Sequence, residues 1–376
     1  MSNLSVFLKG KIGNLFLNFE HNFKNNGITI LYGPNGSGKT TIISALGGFI
    51  NNLETKIFFN GNALHDTDKY PPNKSPFGIM FQNPILFEHL SVEENLDFVI
   101  KRNQLKTQNT SLIRKEYLIN QLELNSLLKR SPENLSGGEK LRVVLARTIL
   151  KQPNYLLLDE PMSDLDIKYK GKLLVFLKDF NKKFKIPILY ITHSIEEITQ
   201  IGDQIVLLND GKKIDSGSVS NILNRNSFVD LTGKFESSSI LEGTVSRHDQ
   251  NFHITTLDLN GQKLIVPGFP GDLDNIVRVR IRSRDILLST SPLNTKITEN
   301  ELQGLISMIE IEENSAFSEL VITLKNFKNN DKKQKLRARI TTFSFKNMKL
   351  SINDTVFIYV SSVSIDRQAY QSKLLI

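Results

Sequence analysis

Leu135 to Asp166 reads LSGGEKLRVVLARTILKQPNYLLLDEPMSDLD and packs a glycine pair, a helix, a buried strand and two adjacent carboxylates into one span. LLLDEP is an apolar run that ends in Asp159 and Glu160. Such a run predicts a strand buried on both faces. Ligands of open parallel sheets sit beyond the carboxyl ends of strands, so the two acids are expected at a site. Upstream, Ser136 is placed to cap a helix starting near Gly137, and two glycines let backbone N–H groups approach an anion closely. Alone, SGG is equally well a plain turn, and its company decides.

That company is the run Gly33-Pro34-Asn35-Gly36-Ser37-Gly38-Lys39-Thr40, which matches GxxxxGK[ST]. It stands in the context that gives the pattern meaning, after the apolar run ITILY and before a helical pattern from Thr41 to Phe49. Glycines permit a tight loop whose N–H groups point inward and cradle phosphate at a helix N-terminus. Lys39 adds a charge able to reach the β- and γ-phosphates, and Thr40 offers a hydroxyl to Mg2+. A bound nucleoside triphosphate is the expectation.

The rest is read around these two stretches. Residues 4 to 30 alternate apolar and polar positions and predict short strands at a sheet edge. KIFFNGNAL predicts a hairpin turning at Asn60-Gly61, and QIVLLNDGKKIDSGS another at Asp210-Gly211. FGIMF predicts an inner strand before Gln82. That amide is either an ordinary surface group or, read with the phosphate loop, a ligand for Mg2+ or the attacking water. Residues 85 to 131 change character: Ser91 and Glu94 form a capping-box pattern, and LIRKEYLINQLELNSLL has apolar positions at helical spacing. Leu141, Val144, Leu145 and Ile149 then mark the core face of the helix after Glu139. Asp159 suits the water shell of Mg2+, and Glu160, past the strand end, suits polarising water at the γ-phosphate. His193 ends the apolar run IPILYIT; it is either structural or a γ-phosphate sensor at a strand end. SVSNILNRN predicts a short helix closing the domain.

Composition limits the alternatives. The chain of 376 residues has 39% hydrophobic residues, enough for two or three domains. It has no cysteine, which excludes disulfides, thiolate metal sites and cysteine nucleophiles. No run of eighteen apolar residues occurs, and MSNLSVFLKGKIGNLF lacks a signal-peptide core, so the expectation is a cytosolic chain unless a partner holds it at a membrane. The net charge of +8 is spread along the chain, with Lys332 to Arg339 the one compact cluster, read as a solvated face.

With the phosphate loop, Gln82, LSGGE, LLLDEP, SDLD and His193 in this order, residues 1 to about 230 resemble the ATPase subunits of ABC (ATP-binding cassette) transporters. The resemblance implies an α/β fold: a RecA-like P-loop core with a helical subdomain over about 85–150. It also implies a homodimer that holds two ATP molecules between its protomers. Matched motif by motif, Gly33 to Thr40 is the Walker A loop and Gln82 the Q-loop residue. Leu135, Ser136, Gly137, Gly138 and Glu139 are the signature, which serves the ATP of the partner protomer. Asp159 and Glu160 are the Walker B pair, Ser163, Asp164 and Asp166 lie in the D-loop, and His193 is the switch histidine. The implied catalytic set is Glu160, His193 and Gln82; the implied Mg2+ set is Thr40, Gln82 and Asp159, the last through water. Glu139 stands where many relatives carry glutamine, Leu141 replaces a frequent glutamine and Asp164 a frequent alanine; none removes a catalytic group. Phe7 and Phe16 are the candidates for stacking on adenine.

From about Leu231 the chain turns to alternating β segments without long helices, which predicts an all-β, OB-like barrel over 236–376. Gly243 and Gly304 precede similar β patterns and hint at duplication. RIRSRDILL, NTKITENELQGLI and RARITTF...LSINDTVFIYVSSVSI resemble the regulatory TOBE-type domain of molybdate importer ATPases. The implied role is the energising ATPase of a molybdate-type oxyanion importer at the cytoplasmic face of the cell membrane. Its implied partners are permease subunits and, through them, an extracytoplasmic solute-binding protein; an oxyanion at the C-terminal barrel is a further expectation. Cassettes for tungstate, sulfate, phosphate, sugars or polyamines stay open. A soluble cassette acting on nucleic acid is disfavoured: there is one cassette, no room for a long coiled coil, and no close set of aromatics for base stacking. A non-hydrolysing scaffold conflicts with the intact Lys39, Asp159, Glu160 and His193.

Overall fold

The computed structural model describes residues 4–50, 52–65, 72, 75–83, 85–104, 113–163, 165–232, 237–293, 300–311, 316–328, 333–360 and 364–365. The chain divides into two compact units, Met1–Ser218 and Val219–Ile376. The division falls upstream of 230–236, because the short helical stretch 219–232 sides with the second unit.

The first unit is built on the strands β1 (Leu4–Ile12), β2 (Leu15–Phe23), β3 (Ile28–Tyr32), β4 (Glu54–Phe59), β5 (Asn62–His65), β6 (Phe77–Met80), β7 (Tyr155–Asp159), β8 (Ile188–Ile191), β9 (Gln204–Asn209) and β10 (Lys212–Ser218). Its helices are α1 (Lys39–Leu46), α2 (Val92–Gln104), α3 (Lys115–Gln121), α4 (Gly137–Leu150), α5 (Ile167–Phe184) and α6 (Ile195–Ile201). All ten strands form one sheet in the order β5-β4-β1-β2-β10-β9-β3-β8-β7-β6. β9, β3, β8, β7 and β6 pair in parallel, and β3, β7 and β8 are buried at every position. Both predicted hairpins form, with Asn60, Gly61, Asp210 and Gly211 all at positive φ. α2, α3 and α4 lie between β6 and β7 as the helical insertion.

Two expectations about the sheet need correcting. β1 and β2 are interior strands and β3 is central, whereas β5 and β6 are the edges. Alternation along β1 and β2 reports burial of one face, not an edge position. Conversely, FGIM is a lateral edge rather than an inner strand; it is apolar because Phe77, Gly78 and Met80 are buried.

The second unit is all-β apart from short helices, and OB-like. It comprises α7 (Val219–Ile222), α8 (Asn226–Thr232), β11 (Ser238–Asp249), β12 (Ile254–Leu259), β13 (Gln262–Pro267), β14 (Ile276–Arg282), β15 (Ile286–Ser289), β16 (Glu301–Ile311), β17 (Phe317–Leu324), β18 (Lys335–Thr341), α9 (Thr342–Asn347), β19 (Thr355–Val360) and β20 (Ser364–Ile365). Two five-stranded sheets run β13-β12-β11-β14-β20 and β15-β19-β16-β17-β18. Read from the β18 side, the second repeats the connectivity of the first. In each sheet the outermost strand comes from the other half of the sequence: β15, which follows β14, pairs with β19, and β20, which follows β19, pairs with β14. The duplication hinted at by Gly243 and Gly304 extends to detail. β11 bulges between Val245 and Arg247 and β16 between Ile306 and Met308, two residues beyond each glycine. One apolar core, including Leu241, Val279, Leu302 and Ile358, spans both sheets.

The basic cluster is not a plain solvated face. Arg337 is 2% exposed and lies 3.6 Å from Glu319 and 3.8 Å from Glu310, while its backbone N–H donates to Ser239 Oγ. Arg339 packs over the Phe317 ring.

Candidate functional site

The sheet order assembles the site. β3, β8, β7 and β6 are consecutive neighbours, and each runs into one motif at its carboxyl end: the Gly33 loop, His193, the Asp159-Glu160 pair and Gln82. β6, β7 and β8 are neighbours in chain order, whereas β3 joins them out of order, beside β8. Parallel strands with helical crossovers bring them to the same edge.

The loop 33–40 takes its shape from two glycines. A Cβ on Gly33 would lie 2.1 Å from Leu208 O, and Gly38 caps α1 at φ 101. The β9–β10 turn braces the loop, with Gly211 N–H donating to Ser37 O at 3.1 Å. The ammonium of Lys39, 7% exposed, donates to Gly33 O and Pro34 O, both at 2.9 Å. Burial pulls its pKa down, and the nearby Glu160 and Asp159 carboxylates oppose that shift. Ser37 Oγ, in the same loop, is buried without a hydrogen-bond partner, a polar group left for a ligand to satisfy.

Asp159 is 2% exposed, and its Oδ2 is buried without a hydrogen-bond partner. Burial raises its pKa, a hydrogen bond with Thr40 opposes the rise, and Glu160 adds to it. Two hard oxygen donors thus meet beside the loop, the donor set Mg2+ prefers. Glu160 sits at φ 45 with its N–H donating to Ile191 O, and its Oε1 lies 3.4 Å from His193 Nδ1. His193 is exposed while Glu160 is mostly buried.

Gln82 is exposed at the edge strand, and among the described residues its side chain makes no hydrogen bond. The segment after it is tied down by two residues that the sequence reading passed over. Asn95, fully buried, donates to Phe87 O, Leu90 O and Ser91 O and accepts from Phe87 N–H. Arg147 on α4 donates to Ile85 O and Asn95 Oδ1 and lies over the Phe87 ring.

The signature turn forms the predicted cap. Ser136 Oγ accepts from Glu139 N–H, and Glu139 returns to Ser136 N–H at 2.8 Å, which holds the Glu139 carboxyl below its usual range. Leu135 is buried, and a Cβ on Gly138 would lie 2.7 Å from Leu165 in the following loop, whereas Gly137 faces open space. Among the described residues no hydrogen bond or ion pair joins 135–139 to 33–40. Ser163 N–H donates to Glu160 O, Asp166 caps α5 by accepting from Tyr169 N–H, and Asp164 lies outside the described residues. Of the aromatic candidates, Phe16 is 50% exposed beside Leu15 and Leu17, which pack on Gly38; Phe7 lies under Lys56.

A phosphate loop, a paired carboxylate two strands away and a histidine at the end of the strand between them define a P-loop nucleoside triphosphatase. The family model described as ABC transporter matches residues 16–163. The "Molybdenum import ATP-binding protein ModC" of Haemophilus influenzae is 32% identical over 365 residues, covering 96% of this chain and 99% of that protein. Its namesake from Mannheimia succiniciproducens is 32% identical over 366 residues with the same coverage. Among solved structures, the dimeric MJ0796, a bacterial ABC transporter cassette, matches with TM-score 0.50 and 26% identity, over 58% of this chain and 99% of that one. The chain belongs to the ABC transporter family, as an ATP-hydrolysing cassette subunit. No helix among the described residues is long and apolar enough to cross a membrane.

Proposed function

We propose that this chain energises the import of molybdate or a closely related oxyanion, working as a homodimer against permease subunits at the cytoplasmic face of the membrane. The observation that carries the reading is likeness to molybdenum-import subunits along 96% of the chain, which takes in the duplicated β unit as well as the ATP site. The extracytoplasmic solute-binding protein would reach this subunit only through the permease.

The geometry supports the following ATP-site roles. The loop amides and Lys39 hold the β- and γ-phosphates, and Phe16 stacks on adenine. Glu160 orients and deprotonates the attacking water, while His193, 3.4 Å from it, steadies the γ-phosphate end of the site. Thr40 and Asp159 would hold Mg2+, with Gln82 reaching in from the edge strand; the ion supplies charge neutralisation along the phosphates. The N-terminus of α4, with Ser136, Gly137 and Gly138, serves the ATP of the partner protomer, since a helix start carries unpaired N–H groups and positive potential. Ser163 would lie along the same seam.

Two surfaces fit the remaining partners. Ile85, Phe87 and Phe98 are exposed on the helical insertion and suit a permease contact. In the β unit an open cavity of about 400 Å³ places Arg339, Thr341, Ser344 and Asn347 beside the apolar Ile286, Leu287, Leu288, Ile340 and Met348, and its polar side is the candidate place for an oxyanion that feeds back on transport. The test is uptake by proteoliposomes holding this subunit, candidate permeases and their binding protein. ATP-driven molybdate or tungstate uptake is expected; uptake of a different solute in their place would overturn the substrate assignment.

A further inference from the structure

Three Ser-x-x-Glu sequences open helices in the first unit: Ser91 to Glu94, Ser136 to Glu139 and Ser194 to Glu197. In the first two the glutamate folds back onto the N–H of its own serine, at 2.8 Å in both. The third departs from this. Ser194 Oγ still accepts from Glu197 N–H, but Ser194 N–H donates to Thr192 Oγ1 at 3.0 Å, so the glutamate has no capping task. Its carboxylate turns inward instead. Glu197 Oε2 accepts from Thr192 Oγ1 at 2.6 Å and from Tyr190 Oη at 2.9 Å. Glu197, Thr192 and Tyr190 are 7%, 3% and 0% exposed, whereas the adjacent Glu196 is exposed.

His193 lies between the two residues this arrangement fixes. On one side Thr192 is drawn into the core; on the other the Ser194 N–H is bound to Thr192. The relay runs from Ser194 N–H to the Thr192 hydroxyl to Glu197, and Tyr190, on the strand that delivers His193, completes it. Burial, then the charge of Glu197, push the Tyr190 hydroxyl well above its ordinary range, so it stays a donor. The imidazole is exposed; the clamp acts on its backbone, at the place that sets Nδ1 3.4 Å from Glu160.

We propose that Glu197 is a positioning residue for ATP hydrolysis, which through Thr192 and Tyr190 holds His193 in register with Glu160. The inference rests on the role given to His193 above. A capping glutamate or a generic core carboxylate would act on stability alone. A positioning residue acts on turnover through one partner, and double-mutant coupling reports that directly.

The test is steady-state ATPase activity of the full chain, with binding of a fluorescent ATP analogue measured in parallel. Glu197→Gln, which removes the charge at constant shape, is expected to lower kcat about tenfold with KM and analogue affinity within about twofold. Thr192→Val, nearly isosteric, is expected to do the same and stands in if Glu197→Gln fails to fold. Glu196→Gln leaves activity unchanged. In a His193→Ala background, Glu197→Gln and Thr192→Val are expected to add no further loss. A full kcat in both single variants, or an equal extra loss in the His193→Ala background, overturns the inference while leaving the role of His193 intact. A harmless His193→Ala overturns both readings.

Discussion

His193 Nδ1 and Glu160 Oε1 stand 3.4 Å apart across two strands that are neighbours in the sheet, although a whole helix separates the residues in the chain. The pairing puts an exposed ring next to a mostly buried carboxylate whose backbone is pinned to Ile191 O. Glu160→Gln keeps that geometry and removes the proton acceptor. ATP turnover is expected to fall by at least about 100-fold, the usual loss for a general base, while nucleotide binding persists. Turnover at the wild-type rate in a stopped-flow phosphate assay would mean that another group accepts the proton.

Asp159 illustrates stability given up for function. Its Oδ2 is buried and without a hydrogen-bond partner, and burial disfavours its charged form. A buried polar atom left unmade costs about 1–3 kcal/mol. Asp159→Asn removes the charge at nearly constant volume, so nucleotide-free protein is expected to melt about 2–4 °C higher, as about 1 kcal/mol does in a domain of this size. Mg2+-dependent turnover should be lost in the same variant. A lower melting temperature would show that the carboxylate stabilises the free protein after all.

The legibility of this molecule divides along physical lines. The phosphate loop, the Ser136 cap and the Asn60-Gly61 and Asp210-Gly211 turns were readable because each depends on a few adjacent residues and their φ preferences. The neighbours of β3 were not, since parallel pairing is set by crossovers and not by the strand's own sequence. For the same reason Gln82 was assigned to an inner strand. In the second unit, alternation revealed the strands but gave no hint that β15 and β20 change places between the two halves. Glu197 is the sharpest case: next to Glu196 in an identical local context, it is told apart only by which side of α6 is buried.

His21 gives the first unit an acid limit. Burial, and then the charge of Lys213, lower its pKa from 6.5 to about 4, and its ring meets Phe23 edge-on at 4.7 Å. Because the folded pKa lies below the unfolded one, the unfolded chain binds the extra proton between these values. The stability contributed by neutral His21 is therefore complete above pH 6.5 and is lost as pH falls toward 4. The loss is expected to be about 2 kcal/mol, less than the full shift implies because the ring is partly exposed. Urea unfolding of wild type and His21→Gln at pH 7.5 and about 4.5 measures it; the wild type should lose more stability than the variant. Equal losses in the two proteins would remove His21 as the cause.

The two halves of the β unit hold each other by a matched pair of side-chain clasps. Gln262 Oε1 accepts from Gln303 N–H at 2.7 Å and its amide donates to Gln303 O at 3.0 Å. Gln334 Oε1 accepts from Glu242 N–H at 2.7 Å and its amide donates to Glu242 O at 2.9 Å. Gln303 and Glu242 are the residues before Gly304 and Gly243, so each clasp grips the same place on the leading strand of the opposite half. Gln262→Ala and Gln334→Ala each take from a backbone N–H of that strand its side-chain acceptor, at a cost of about 1–3 kcal/mol, while Gln303 O keeps the Lys325 N–H. Amide hydrogen exchange is expected to speed up at Gln303 in the first variant and at Glu242 in the second, by similar factors of about 10 or more, which is what about 1.4 kcal/mol of local destabilisation produces. If one variant exchanged like wild type at its clasp while the other did not, the equivalence of the two halves would end at the level of topology.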